Sequence, residues 1–479
     1  MSNAAPATSM HSSAPVVDAA LEAIIGNPAA PKAVPARVYP PRSVPGSVGT
    51  LASVLALYGL VRNGIQYAEQ QRARYGDIQR SMFAAEPIVY VWDADAVHGI
   101  LRNEGNAWST AMGWDVLLFD RLDPLGGNIG ALLALDFDAH RAARKLVQPA
   151  FTASAIKGYI ALASGTLDRA IERWIAAGQV GFKAELRSLL AQVASDILTG
   201  VKEPARVVVL ERALSDFWRG PQALIKDPRL SLAFRRAQRG YGTLRRIFTE
   251  LVPARRAQPG ADLFSQMCRF EDGEYSDDAL VRIFLTVMFG AFDTTSLAIT
   301  SMAYLLAKHP AWQDRLREEA LQVSPEALDW PGLQKLQQLD WAWKETLRLM
   351  PVTGSVPRRA LRDVEVLGHR LPAGTFVGPV SGGLGRHPGW WSHPQQFDPE
   401  RFSPERAEDK RHPAIFLPFG AGAHACIGMQ LANIEAKLVW HKLLTRCRFE
   451  LAPDYEARHT FTPLGCVSGK VRLRLTRLR

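Results

Sequence analysis

Phe419-Gly420-Ala421-Gly422-Ala423-His424-Ala425-Cys426-Ile427-Gly428 places one thiol in a glycine-punctuated loop that runs into an amphipathic helix near the C-terminus. Gly420, Gly422 and Gly428 permit backbone conformations and close approaches that a Cβ would block, so a flat cofactor can lie against the loop with Phe419 shielding it. A helix beginning near Ile427 offers Cys426 unpaired N–H donors and the positive end of a dipole, which predicts a thiol with a lowered pKa. Taken alone, the decapeptide has a competing reading, a buried structural cysteine in a turn.

The loop resembles the haem-binding segment of the cytochrome P450 family, Phe-x-x-Gly-x-x-x-Cys-x-Gly with a basic residue two before the cysteine. Phe419, Gly422, Cys426, Gly428 and His424 fill those five positions. The resemblance covers about residues 46–479 and implies a mainly α fold with small β-sheets (α+β), the cytochrome P450 fold. Haem b (iron protoporphyrin IX) would then lie between a long central helix and the cysteine loop, with Cys426 as axial ligand to the iron.

Working outward, Ser276 is placed to cap a helix that starts with Asp277 and Asp278, runs to about Lys308 and stops at His309-Pro310. It is apolar nearly all round, which predicts a helix crossing the interior. In its middle stands Gly290-Ala291-Phe292-Asp293-Thr294-Thr295. A charge there wants a partner, and Gly290 weakens the helix by ~1 kcal/mol. The run resembles the family's oxygen-binding stretch, (Ala/Gly)-Gly-x-(Asp/Glu)-Thr-(Thr/Ser), with Ala291 standing where the second glycine is usual. The resemblance implies that Gly290 and Ala291 admit the haem face and O2, that Thr294 donates a hydrogen bond to the distal oxygen, and that Asp293 feeds protons from solvent. The plainer alternative is a threonine bonding its own i−4 carbonyl.

Glu345 and Arg348 fall at i, i+3 on one helix face among Trp341, Trp343, Leu347 and Leu349, so the pair should be buried. It resembles the family's structural Glu-x-x-Arg, whose third partner would be Arg401. Arg358 sits at the spacing of a propionate-binding arginine, and His140 with Arg144 resembles the family's propionate-binding His-x-x-x-Arg. With His424 that makes four cationic or donor groups for two carboxylates. Arg141 and Lys145 share the adjacent face; docking an acidic electron donor and merely meeting solvent are the two readings of that pair.

Composition narrows the remaining choices. The 479 residues are 47% hydrophobic, with no linker or charge break after residue 45, so 46–479 reads as one domain and 1–45, rich in Ala, Pro and Ser, as a flexible leader without a signal-peptide pattern. Val48–Val61 is shorter than the ~20 residues that span a bilayer, so no transmembrane anchor is expected; a first helix facing the core is favoured over a membrane-surface contact. Four cysteines, Cys268, Cys426, Cys447 and Cys466, form neither a disulfide framework nor a zinc pattern, which fits a reducing, cytoplasmic setting, with the other three as apolar fillers. The net charge of +10 is dispersed over 57 basic residues and matches no nucleic-acid motif. It suits an acidic protein partner.

The resemblance therefore implies a monomeric haem-thiolate monooxygenase. O2 would be the oxidant, a terpenoid, steroid, fatty acid or similar lipophile the substrate, and a separate ferredoxin or flavodoxin the electron source. A peroxide-driven hydroxylase or haem-thiolate isomerase would not need Asp293-Thr294, and a non-enzymatic haem or ligand-binding protein would turn nothing over. Substrate walls are expected from Trp108–Phe119, Ile283–Thr294, Val352–Val356 and Thr462–Cys466.

Overall fold

The computed structural model describes residues 38–83, 86–114, 132–223, 227–269, 276–453, 455–461 and 464–478. Chain order begins with helix α1 (Thr50–Tyr75), strands β1 (Ile78–Phe83) and β2 (Glu86–Val91), α2 (Ala94–Arg102) and the short β3 (Trp108–Ser109). A helical portion follows, with α3 (Phe137–Val147), α4 (Ala153–Ala177), the short β4 (Gln179–Gly181), α5 (Phe182–Thr199), α6 (Pro204–Gln222) and α7 (Leu232–Ala257). It continues through α8 (Asp277–Lys308), α9 (Pro310–Leu321) and α10 (Gln337–Leu349). Strands β5 (Arg358–Ala360), β6 (Val364–Val366), β7 (His369–Leu371) and β8 (Phe376–Pro379) precede α11 (Met429–Leu444). Then come β9 (Cys447–Leu451), β10 (His459–Phe461), β11 (Gly465–Val467) and β12 (Arg472–Arg477).

The ends of α8 explain its length. The Ser276 hydroxyl accepts the Ala279 N–H at 3.3 Å, and Asp277 and Asp278 meet the dipole in the first turn. Arg256 answers Asp277 at 2.8 Å and Arg245 answers Asp278 at 2.6 Å. Pro310 lacks the N–H that would continue the ladder, so a new helix starts there. At ~1.5 Å per residue, α8 spans about 48 Å, and α5, α7 and α10 pack around it. Among the described residues it is the one helix long and apolar enough to cross a membrane, and it is buried inside the protein.

On the other side lies a five-stranded sheet, ordered β1-β2-β8-β5-β3, whose one parallel pair sets Val89 opposite Val377. It carries its own small core, in which Val44, Val89, Val91, Ile100 and Val377 are buried together. Phe83 pairs with Glu86, so Glu86 and Pro87 open β2, at the strand start where a missing N–H costs least. Val44 is fully buried and the Arg80 N–H donates to the Pro45 carbonyl at 2.8 Å, so these two residues pack with the sheet. Residues 1–37 of the expected leader lie outside the described residues.

The first helix departs further. Between Thr50 and Arg62 only Ala56 is buried, with Ala52, Ser53, Gly59 and Leu60 of the same face half-buried, so Val48–Val61 turns only a narrow face of mostly small residues inward and leaves its larger apolar side chains exposed. The helix breaks at Asn63, whose φ of −162° and ψ of 86° are non-helical. Just beyond the break Gly64 lies so close to Phe461 that a Cβ would come within 2.4 Å of the ring.

Candidate active site

The cysteine loop is held by its own backbone. The Cys426 N–H donates to the Phe419 carbonyl at 2.8 Å and Gly420 N–H to Leu417 at 3.1 Å. Gly420 and Gly422 have φ of 72° and 70°, the left-handed region that favours glycine. At Gly422 a side chain is excluded twice over, because a Cβ would stand 2.4 Å from the Leu101 carbonyl oxygen of α2. Gly428 caps α11, which starts at Met429, two residues after the expected Ile427.

Cys426 is solvent-accessible, yet it lies deep in the molecule. The two facts agree if the thiol lines a deep cavity open to water. Desolvation raises its pKa, against the lowering by the N–H groups of Gly428 and Met429 and by Arg144. The expected net lowering is thus overturned: helix-end donors are present, but burial outweighs them.

Helix α3 brings two of the predicted donors to this loop. His140 is buried and stacks on His424 with ring centroids 3.8 Å apart. Arg144 donates to the carbonyls of Ala425 at 2.7 Å and Ala423 at 3.2 Å. Arg358, also buried, donates to the Pro357 carbonyl at 2.9 Å and completes the cluster. Burial foremost, then the neighbouring guanidiniums, pushes His140 down to about 4. Burial, then His140 and the arginines, pushes His424 down to about 2. Burial also lowers Arg358 to about 10. At neutral pH the group is therefore two cations and two neutral imidazoles, so His424 is a donor but not a charge. Asp136 is the acid that bears on His140 and Arg358, and it is held by the N–H groups of Thr110 at 2.7 Å and Ala111 at 3.3 Å.

In the middle of α8 the run of burial among the described residues is interrupted. Residues 279–289 are buried, Gly290 is exposed, and Ala291 and Thr294 are partly exposed before burial resumes. These three occupy one helix face (i, i+1, i+4), and a Cβ built on Gly290 would meet nothing. The Thr294 hydroxyl donates to the Gly290 carbonyl at 2.9 Å. Its hydrogen is used there, so on its exposed side Thr294 presents lone pairs, an acceptor where a donor was expected. Asp293 is buried and accepts from Arg187 Nε of α5 at 2.6 Å, the partner its charge required. Two residues on, Thr295 hydrogen-bonds Glu435 of α11, a carboxyl that burial raises to about 8.

Glu345, Arg348 and Arg401 form a closed network with no side-chain exposure. Glu345 accepts from Arg348 Nε at 2.6 Å and Nη2 at 2.8 Å, from Arg401 Nε at 3.1 Å and from the Asp398 N–H at 2.8 Å. Arg348 also reaches the carbonyls of Gly385 and Pro394. Arg401 extends to Glu408 at 3.0 Å, a carboxyl that stays ionised down to about 2 despite its burial, because Ser392 and the arginines stabilise its charged form.

Arg141 and Lys145 are exposed on α3, and Arg141 pairs with Asp138. Of the expected substrate walls, Trp108 is buried in the sheet's core and residues 115–119, 462 and 463 lie outside the described residues. Cys268 and Cys447 are buried, but Cys466 is only partly so and accepts from Lys183 at 3.2 Å, which makes it more than an apolar filler. Sequence reading missed Arg187, Asp136, Glu408 and Glu435. Only Asp136, a carboxylate one residue before a helix, carried a local signal, that of a cap, and its side chain serves Thr110 and Ala111 instead.

The residues fit the group the resemblance implies. A solvent-accessible thiol in a glycine loop and an exposed face of small residues in the middle of a buried helix suit a flat cofactor, and two arginines and two imidazoles near one acid suit two carboxylates. A family model described as cytochrome P450 matches residues 241–476. The chain is 33% identical over 422 residues to cytochrome P450 136 of Mycobacterium tuberculosis, covering 85% of this chain and 83% of that one. It is 28% identical over 450 residues to the cyclooctat-9-en-7-ol 5-monooxygenase of Streptomyces melanosporofaciens, covering 89% and 93%. The structure superposes on retinoic acid bound cyanobacterial CYP120A1 with a TM-score of 0.82 at 23% identity, over 92% of this chain and 99% of the other.

Proposed function

The chain belongs to the cytochrome P450 family of haem-thiolate monooxygenases, and on that premise we propose that Cys426 is its iron ligand, a lipophilic small molecule its substrate and a separate acidic ferredoxin or flavodoxin its electron donor. When bound, haem with a thiolate ligand supplies electron-rich iron at which O2 is activated. The observation that carries the assignment of sites is the exposed face of Gly290, Ala291 and Thr294 in the middle of a buried helix.

The thiolate form of Cys426 is held by the Gly428 and Met429 N–H groups and by Arg144. Arg144 and Arg358 would supply charge to the haem carboxylates, and His140 and His424 would supply N–H donors. Gly290 and Ala291 leave room for the cofactor face. Thr294 accepts a hydrogen bond on the cavity side, since its own hydrogen is committed to Gly290. Asp293, tethered to Arg187, carries protons inward when its carboxylate swings from that partner to the cavity. Glu345, Arg348 and Arg401 act through the fold and touch no reacting atom.

The apolar and only partly buried Ala291 and Val352, both within the expected walls, favour a terpenoid, steroid or fatty acid over a sugar. The lipophiles named for two similar proteins, retinoic acid and cyclooctat-9-en-7-ol, point the same way. The electron donor docks at Arg141 and Lys145, on the helix whose Arg144 reaches the cysteine loop. The working location is the cytoplasm and the working state a monomer. A peroxide-driven hydroxylase or a non-enzymatic haem carrier is the alternative. Asp293 and Thr294, with their arranged partners, favour the O2 route.

The test is titration of the haem-loaded protein with a lipophile library, reading the low-to-high-spin shift, followed by product analysis with a ferredoxin and its reductase. Turnover with that chain should exceed turnover with peroxide alone. A ferrous carbonyl adduct of imidazole type, or equal turnover with peroxide, defeats the proposal.

A further inference from the structure

We propose that the exposed apolar half of α1, Thr50 to Arg62, docks this protein on the surface of an anionic lipid bilayer. Leu51 is 72% exposed, Val54 59%, Leu55 55% and Tyr58 59%. Their spacing (i, i+3, i+4, i+7) makes them one continuous stripe, which Val61 extends at 46%. A soluble monomer rarely leaves so contiguous an apolar patch uncovered. The fold does not use the stripe, because this half of the helix turns its opposite face inward, the one that carries the buried Ala56 and the half-buried Ala52 and Leu60.

Charge decides between occupants. Residues 38–68 include no acidic side chain, while Arg42 and Arg62 are exposed. The Arg62 guanidinium lies along the stripe, donating to the Tyr58 hydroxyl at 2.8 Å. A second copy meeting this face about a two-fold axis would bring Arg62 toward Arg62 with no carboxylate between them. Anionic headgroups supply that carboxylate's role. Tyr39 and Tyr58, both exposed, are amphipathic rings suited to the headgroup level. The helical segment from Thr50 to the break at Asn63 is too short for the ~20 residues of a span, so it lies in the plane of the interface. The inference stands on surface chemistry and is independent of the haem assignment.

The experiment is co-sedimentation of the full-length, haem-loaded protein with vesicles of equimolar phosphatidylcholine and phosphatidylglycerol, and with vesicles of phosphatidylcholine alone. The protein should pellet with the anionic vesicles about tenfold more tightly than with the neutral ones, and salt should reverse the difference. The double variant Leu51→Glu with Leu55→Glu should bind at least about tenfold more weakly, with haem spectrum and melting temperature unchanged, since both side chains are exposed. Three results would overturn the proposal: wild type remaining in the supernatant with both vesicles, the variant pelleting like wild type, or sedimentation velocity without lipid revealing a dimer that the variant dissolves.

Discussion

Replacing Glu435 with glutamine should flatten the pH dependence of stability above pH 6.5. The carboxyl is buried, has one side-chain partner in Thr295, and is raised by burial to about 8. An ordinary glutamate is ionised well below that, so between the two values the folded chain binds a proton that the unfolded chain does not. Stability is then fully present below the unfolded pKa and is lost as pH rises toward 8, at about 1.4 kcal/mol per pH unit. Over the interval from 6.5 to 8 the loss integrates to about 1.5 kcal/mol, because the proton is already half released at the upper end. The buried imidazoles do not mask it. His140, His424 and His459 are pushed down to about 4, 2 and 3, so they add stability as pH rises toward their ordinary 6.5 and nothing beyond it. The assay is urea unfolding of wild type and Glu435→Gln at several pH values, followed by far-UV circular dichroism. Wild type should lose stability across this interval while the variant, whose neutral amide keeps a hydrogen bond to Thr295, should not. Parallel pH dependences would refute the reasoning.

Glu345→Ala leaves Arg348 and Arg401 buried with their shared carboxylate gone, and should cost about 3–5 kcal/mol in denaturant unfolding, against less than about 1 kcal/mol were the pair on the surface. Asp293→Asn should lower product formation on the order of a hundredfold with substrate-induced spectral shifts unchanged, because only the proton path is touched; stopped-flow turnover checks it. Thr294→Val, which removes the hydroxyl but keeps the shape, should raise peroxide release relative to product, measured by a coupled peroxidase assay. Gly422→Ala, which meets both a φ of 70° and the Leu101 oxygen, should lower stability by more than the ~1 kcal/mol of a simple backbone penalty and reduce haem retention.

How much of this was legible in the sequence follows the range of the interactions. The ends of α8 were readable because Ser276, the two aspartates and Pro310 act within a turn of where they stand. The cysteine loop was readable because its glycines act on their own backbone. Arg187 reaches Asp293, and Glu435 reaches Thr295, only after helices far apart in sequence have packed, so no local pattern announced either. The sign of the Cys426 shift failed for a related reason. The donors at the helix end are local, whereas desolvation depends on everything folded around the thiol. Apolar composition likewise suggested that Val48–Val61 faces inward, but only the narrow face around Ala56 does, while Leu51, Val54, Leu55 and Tyr58 stay exposed.

The contact of Gly422 with the Leu101 carbonyl ties the segment bearing the thiol to a helix more than three hundred positions earlier in the chain. Anyone grafting this decapeptide into a homologue, or shuffling fragments between relatives, therefore moves half of an interlocking joint. The stretch around Leu101 and Arg102 must travel with it, or the recipient's counterpart must leave the same clearance. Recombination breakpoints placed between the two should yield chimeras that express but hold their cofactor poorly.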